Sequence, residues 1–136
     1  MQELPDLIAT YIAAYNRKDV AGMVDCLAAN VTFRNVSSGE VTAEASDKQS
    51  FEEMARFGVS AFDTRHQKVT NAITVAGTTL VEIDYTAVVA TDLPNGWTAG
   101  QKLAFSGASA FQVKNGKIVS IVDESYWSPT GLRWHP

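Results

Sequence analysis

From about Phe62 onward the chain reads as strand: the runs 64–76, 79–91, 101–113 and 117–127 are rich in Val, Ile, Thr, Phe and Tyr. Turn signals separate them at Ala76-Gly77, Leu93-Pro94-Asn95-Gly96 and Asn115-Gly116. Successive strands joined by short connections make an antiparallel meander, and a meander must bury one of its faces. The cover has to come from the residues that precede it, and those are helical. Leu4, Leu7, Ile8, Tyr11, Ile12 and Tyr15 recur at helical spacing as one apolar stripe, with Pro5 and Asp6 suited to the first turn. The pattern stops at Asn16-Arg17-Lys18. Asp19 reads as the N-cap of a second helix with Val20, Met23, Val24 and Leu27 on its buried face, ending at Ala28-Ala29-Asn30. Residues 31–36 read as a short strand and 37–46 as a loop. Ser46 or Asp47 can cap a third helix, with Phe51, Met54, Ala55 and the stretch 57–59 inside and Gly58 as its end. Helices followed by a meander imply an α+β fold with the helices on one face of the sheet, and residues 1–136 as a single domain.

A chain of 136 residues buries roughly two thirds of its unfolded surface, which suffices for one core without staples. The net charge of −4 and the lack of any lysine or arginine run argue against nucleic acid, and the acidic surface argues against anionic membranes. No stretch approaches the ~18 apolar residues of a membrane span. The acidic start, Met1-Gln2-Glu3-Leu4-Pro5-Asp6, lacks the basic region and apolar run of a signal peptide, so a cytoplasmic setting is expected. The one cysteine, Cys26, reads as a small buried hydrophobe. With two distant histidines, His66 and His135, and one cysteine, no metal-ligand spacing exists, and no metal or cofactor is expected.

Strand alternation decides which polar residues matter. Val81, Ile83, Tyr85, Ala87 and Val89 face the helices, while Glu82 and Asp84 face away. By the same parity His66 goes with Lys68 and Thr70 to the surface. The last hairpin admits two registers. A two-residue turn at Asn115-Gly116 puts Val113 opposite Ile118; a three-residue loop puts Val113 opposite Lys117. The second is preferred, because Phe111 then meets Val119 and Ile121 on the core side. In it Asp123 points inward beside Gly107 and Ser109, and a one-residue slip would turn it to solvent. The outer face would carry Ala104, Ser106, Ala108 and Ala110 beside Ile118, Ser120 and Val122, a flat apolar surface suited to a homodimer through the outer sheet face.

Tyr11-Ile12-Ala13-Ala14-Tyr15-Asn16-Arg17-Lys18-Asp19, then Met23-Val24 and Asn30-Val31-Thr32-Phe33, resembles the two-helix opening of the nuclear transport factor 2-like superfamily. Phe62-Asp63-Thr64-Arg65-His66 and the ending Phe105-Ser106-Gly107 with Phe111-Gln112-Val113-Lys114-Asn115-Gly116-Lys117-Ile118-Val119 are similar to its SnoaL-like polyketide cyclase branch. The resemblance implies a cone-shaped α+β half-barrel, a strongly curved mixed or antiparallel sheet wrapped around the N-terminal helices, with an open pocket and usually dimeric. The ketosteroid isomerase branch relies on an aspartate base and two oxyanion donors, and Tyr11 matches one of those donors. Asn35 stands at the base position and Ser109 at the other donor, so that isomerisation is not implied. Asp123 resembles the acidic position of the cyclases' final strand, although Ile121 and Val122 stand where that branch has histidine and tryptophan.

Asp123 and Tyr11 are therefore the candidate catalytic residues. Tyr15, Phe33, Asn35, Tyr85 and Phe105 are expected to line the pocket, together with Ser109, Phe111, Ile121, Ser125 and Trp127. Trp97, Trp127 and Trp134 fall where they close the pocket mouth or cap the core edge. The expected ligand is a small apolar molecule, polyketide-, steroid- or terpenoid-like. Two functions stand side by side: a cofactor-free cyclase or isomerase with Asp123 as acid/base, or a non-catalytic binding or structural dimer module.

Overall fold

A computed structural model describes residues 4–125 of the chain. Among the described residues three helices, α1 (Asp6–Asn16), α2 (Val20–Asp25) and α3 (Lys48–Ala61), pack against six strands. The strands are β1 (Leu27–Ser37), β2 (Glu40–Ala45), β3 (Phe62–Val75), β4 (Thr78–Val89), β5 (Lys102–Lys114) and β6 (Lys117–Ser125). They form one unclosed sheet in the order β2-β1-β6-β5-β4-β3. Every neighbouring pair is antiparallel except β1 with β6, which is parallel and makes the sheet mixed. Irregularities interrupt four of the five pairings, including those at Asn35/Val36 and Val69/Asn71. Each bulge bends its strand and sharpens the local twist, which is how a sheet of this length curves around its helices.

The local chemistry explains the helix ends. Asp19 accepts from the Gly22 backbone N–H at 2.9 Å and starts α2. Asp47 and Ser50 form a reciprocal capping box that starts α3. Between α1 and α2, Lys18 takes a left-handed φ of 61°, a position that favours glycine. Its ammonium compensates by donating to the Phe62 and Asp63 carbonyls, at 2.5 and 2.8 Å. Next to it, Asn16 works as a clamp on β3, an edge strand of the sheet. Its amide donates to the Gln67 carbonyl at 3.1 Å, and its oxygen accepts from the Gln67 N–H at 2.8 Å.

The main core gathers Ile8, Tyr11, Ile12, Phe33, Phe51, Phe111, Ile118 and Ile121 between helices and sheet. A second cluster of Tyr85, Ala87, Val89 and Leu103 forms the other end, with Tyr15, Phe62, Trp97 and Phe105 packed against it. Three expectations need correction. Residues 40–45 are a strand, not loop; the Ser38-Gly39 turn, with φ of 50° and 86°, returns the chain as a tight hairpin. The second helix ends at Asp25 and β1 begins at Leu27. And α3 runs through Gly58 to Ala61, leaving Phe57 exposed.

The last hairpin settles differently from either simple register. Its turn has two residues, Asn115 and Gly116, both at positive φ, so Lys114 pairs with Lys117 and Val113 with Ile118. Continued without interruption, this pairing would set Asp123 opposite Ala108 on the outer face. A bulge intervenes: Gln112 pairs with Ser120, and Val119 becomes the extra residue. Beyond it Phe111 pairs with Ile121, Ser109 with Asp123 and Gly107 with Ser125. Asp123 therefore faces inward, opposite Ser109 instead of Gly107. Ile118, expected outside, is fully buried because the bulge puts it in phase with the core.

Candidate functional site

Asp123 lies on β6, flanked by β5 and β1, with Ser109 and Asn35 as its register partners. The Ser109 hydroxyl donates to Asp123 Oδ1 at 2.6 Å, a short bond of the kind an ionised acceptor makes. Burial pushes the Asp123 carboxyl up from 3.8 to about 6, against the lowering effect of the Ser109 bond. Part of the residue still faces open space, and that space is a pocket of about 230 Å³.

Two kinds of wall enclose it. Asn35, Ser37, Gln67, Ser109, Asp123 and Ser125 are polar, and Tyr15, Phe62, Tyr85, Trp97 and Phe105 are aromatic. Tyr85 and Phe105 stack at a centroid distance of 5.0 Å, while Phe62 meets Tyr85 edge-on at 6.4 Å and tilts against Trp97 at the same distance. Gly107 leaves room between the walls. A Cβ there would come within 2.6 Å of the Glu124 carbonyl oxygen, so the close approach of β6 admits only glycine.

Of the residues expected at the pocket, Tyr15, Asn35, Tyr85, Phe105, Ser109, Asp123 and Ser125 line it together. Tyr11 does not. It is buried against Phe51 and Phe111, with ring centroids 6.4 and 5.7 Å away, because the first-helix stripe turns it into the main core. Burial raises its phenol well above 10, and the Asp123 charge raises it further, so it stays neutral. Phe111 and Ile121 are also core residues, 1% and 0% exposed. Phe33 and Ile121 instead back a separate depression of about 480 Å³, with Arg34, Glu44 and Ser120 in its lining and neither Asp123 nor a tyrosine hydroxyl. Asn35 turns its amide to Thr42 Oγ1, at 2.8 Å, and to Ser37 Oγ, at 3.4 Å. Trp127, Trp134 and His135 lie outside the described residues. His66 is exposed on the outer face of β3. Cys26 is buried, with its thiol pushed up by that burial. Among the described residues no group of three His, Cys, Asp or Glu side chains could hold a metal ion, and no helix is long and apolar enough to cross a membrane.

Sequence reading alone passed over Arg65. Its guanidinium carbon sits 3.7 Å from the Tyr15 ring centroid, and Nη2 donates to the Tyr15 carbonyl at 3.2 Å. The residue is 7% exposed, and its Nε has no partner among the described residues. The signal was available: the alternation that sends His66 to the surface sends Arg65 inward.

The SnoaL-like domain family model matches residues 8–121. None of the curated proteins matches the sequence. Among solved structures, a protein of ketosteroid isomerase-like fold from Catenulispora acidiphila DSM 44928, in complex with trimethylamine, superposes with a TM-score of 0.76 at 16% identity, over 95% of this chain and 90% of that one. A candidate polyketide cyclase from Pseudomonas putida KT2440 gives a TM-score of 0.72 at 17% identity, over 93% of this chain and 92% of the other. Another, from Silicibacter sp. TM1040, gives 0.72 at 20% identity, over 92% and 88%.

Proposed function

Because the chain belongs to the SnoaL-like domain family, we propose that it binds a small apolar carbonyl compound, polyketide-like in character, and moves a proton on it with Asp123 and no cofactor. The observation that carries this reading is a carboxyl group raised to about 6 by burial, held by Ser109 at 2.6 Å and facing an aromatic-walled pocket. A base poised just below neutral pH is ionised when it must accept and basic enough to do so. Asp123 takes the α-hydrogen as a proton, the C–H electron pair forms the enolate double bond, and the carbonyl π pair moves to oxygen. Returning the proton to another carbon isomerises the molecule. Attack of the enolate carbon on a second carbonyl closes a ring, with the proton delivered to the new alkoxide. The pocket volume, below the roughly 300–1,000 Å³ usual for drug-sized ligands, favours one or two rings over a four-ring steroid.

Proton NMR of small cyclic ketones in D2O tests this. The protein should speed α-hydrogen exchange by on the order of 10²–10⁴-fold, and Asp123→Asn should remove that gain. Undiminished exchange by Asp123→Asn would show that the carboxylate does no chemistry.

The aromatic wall and the carboxylate also suit a second reading, a non-catalytic site for a small alkylammonium ion, the class of molecule present in the trimethylamine complex named above. Calorimetric titration with tetramethylammonium separates the two, since saturable binding that requires Asp123, without any proton exchange on ketones, belongs to the second alone. We further propose that the outer sheet face meets a second copy of the chain. Ile73 and Leu80 are 54% and 51% exposed there, around a groove that includes Ala108, Ala110 and Val122. Light scattering after size exclusion should give a dimer that Leu80→Glu converts to monomer.

A further inference from the structure

The aromatic wall of the pocket contains a line of polar groups that no acid/base role for Asp123 uses. Arg65 stacks on Tyr15, and the Tyr15 hydroxyl donates to the Tyr85 hydroxyl at 3.0 Å. Having accepted that bond, Tyr85 keeps its own proton, and no described residue accepts it. Both tyrosines line the pocket that Asp123 faces. We propose that Tyr85 is the hydrogen-bond donor to the carbonyl oxygen of the bound molecule, with Tyr15 and Arg65 behind it as positioning residues, and that the ligand is a flat one- or two-ring ketone lying along the Tyr85–Phe105 stack.

Three observations converge on this. The first is the direction of the relay. A hydroxyl that accepts a hydrogen bond becomes a better donor, because polarisation passes along the chain. The second is Arg65 itself. A buried guanidinium is costly unless compensated, and among the described residues no carboxylate forms an ion pair with it. Its compensation is the Tyr15 ring and the Tyr15 carbonyl at the negative end of α1. Such a charge draws electron density from the Tyr15 ring and sharpens its hydroxyl as a donor. Burial raises both phenols and Arg65 opposes that rise at each, so the hydroxyls stay neutral donors at physiological pH. The third is position: Asp123 and Tyr85 line the same pocket, so a ring within it has a proton acceptor and a hydroxyl donor beside it. Tyr11 does not fill this place, since it lines no part of the pocket.

The inference rests on the proposed carbonyl ligand but not on turnover, and 1-tetralone labelled with ¹³C at its carbonyl separates the two. Infrared difference spectra read the strength of the hydrogen bond to the carbonyl; deuterium exchange at the adjacent carbon reads Asp123. Wild type should bind the probe with its carbonyl stretch shifted to lower wavenumber. Tyr85→Phe should abolish the shift and weaken binding about tenfold, the worth of one hydrogen bond. Tyr15→Phe and Arg65→Met should each retain part of the shift, and Arg65→Lys should restore less than the parent, since an ammonium cannot stack as a guanidinium does. Thermal melting checks that each variant folds; should Arg65→Met fail, Tyr15→Phe reads the same relay. A Tyr85→Phe protein with the parental stretch and affinity overturns the proposal, as does wild type that fails to bind the probe at millimolar concentration. A shifted stretch that depends on Tyr85, with no α-hydrogen exchange, upholds the donor and removes the acid/base reading instead.

Discussion

The Asp123→Asn substitution removes one ionisable group while keeping its size and an oxygen that can accept from Ser109. Its effect on stability follows from where the carboxyl titrates. In the unfolded chain the group titrates near its ordinary 3.8; in the folded protein, burial raises it to about 6. The folded state therefore binds the proton more tightly, and stability falls as pH rises through this window. Below about pH 4 both states are protonated and the neutral acid carries no penalty. Above about pH 6 both are ionised, and the folded protein bears the full cost of a desolvated carboxylate. A rise from 3.8 to about 6 corresponds to about 3 kcal/mol. Because part of the residue faces the pocket, about 2 kcal/mol is the better expectation, similar to burying one aliphatic side chain. Urea denaturation across pH 4–8 should show wild type losing that amount relative to Asp123→Asn between pH 4 and 6, with the variant the more stable protein at pH 7. A variant less stable than wild type at pH 7, or a difference that does not change with pH, would refute the reasoning. Stability gained at the expense of the acid/base group is what a functional carboxylate predicts.

Four further outcomes follow from the same geometry. Exchange of α-hydrogens should rise with pH through about 6 and then level, following the ionised carboxylate; a rate that falls over this range would contradict Asp123 as the base. Ser109→Ala removes a bond that lowers the Asp123 carboxyl, so the midpoint of that profile should move to higher pH, and a midpoint that moves down would break the assignment. Gly107→Ala forces a Cβ against the Glu124 carbonyl and should cost roughly 1–3 kcal/mol by denaturation. Asn16→Ala removes both bonds of the clamp on β3 and should cost about 1–3 kcal/mol, with faster hydrogen exchange at the Gln67 amide as its local mark.

What the sequence disclosed tracks the physics of each signal. The stripe from Leu4 to Tyr15, the cap at Asp19 and a third-helix cap at Ser46 or Asp47 are local, and local rules found them; the structure gives the last role to Asp47. The alternation Val81, Ile83, Tyr85, Ala87, Val89 is strict because β4 is an inner strand with one face in the core, so its inward set was plain. β2 escaped notice because its alternation, Val41, Ala43 and Ala45 against Glu40, Thr42 and Glu44, rests on one valine and two alanines in an exposed edge strand, too weak an apolar signal to set against a polar loop. Gly58 looked like a helix end, yet it lies within α3, where a Cβ would already touch Arg65 Nη1 at 3.4 Å. The stripe that holds Tyr11 and Tyr15 could not say which of the two opens on the pocket. They are one turn apart on one face, and the sheet decides: Tyr11 meets Phe111 while Tyr15 meets Tyr85. Nor could residue identity announce the bulge at Val119, since valine suits a regular ladder equally well.

That bulge has a consequence for how such a chain can change. Position 119 adds one to the residue count of β6, and so it decouples the tip of the hairpin from the part that carries Asp123. The turn can remain the tightest kind while the acid keeps its orientation, two demands that a regular ladder with this spacing would set against each other. Deleting Val119 should leave Ile118, Ile121 and Asp123 on the inner face and Ser109 still opposite the acid, with only the bend lost. One extra residue between 119 and 120 either forms a second bulge or irons out the first; in the second case Ile118 and Asp123 still face inward, but the acid moves opposite Gly107 and loses its Ser109 partner. The partner of the carboxylate is thus written in arithmetic more than in side chains. A strand built this way can exchange residues along its length more freely than it can grow by one.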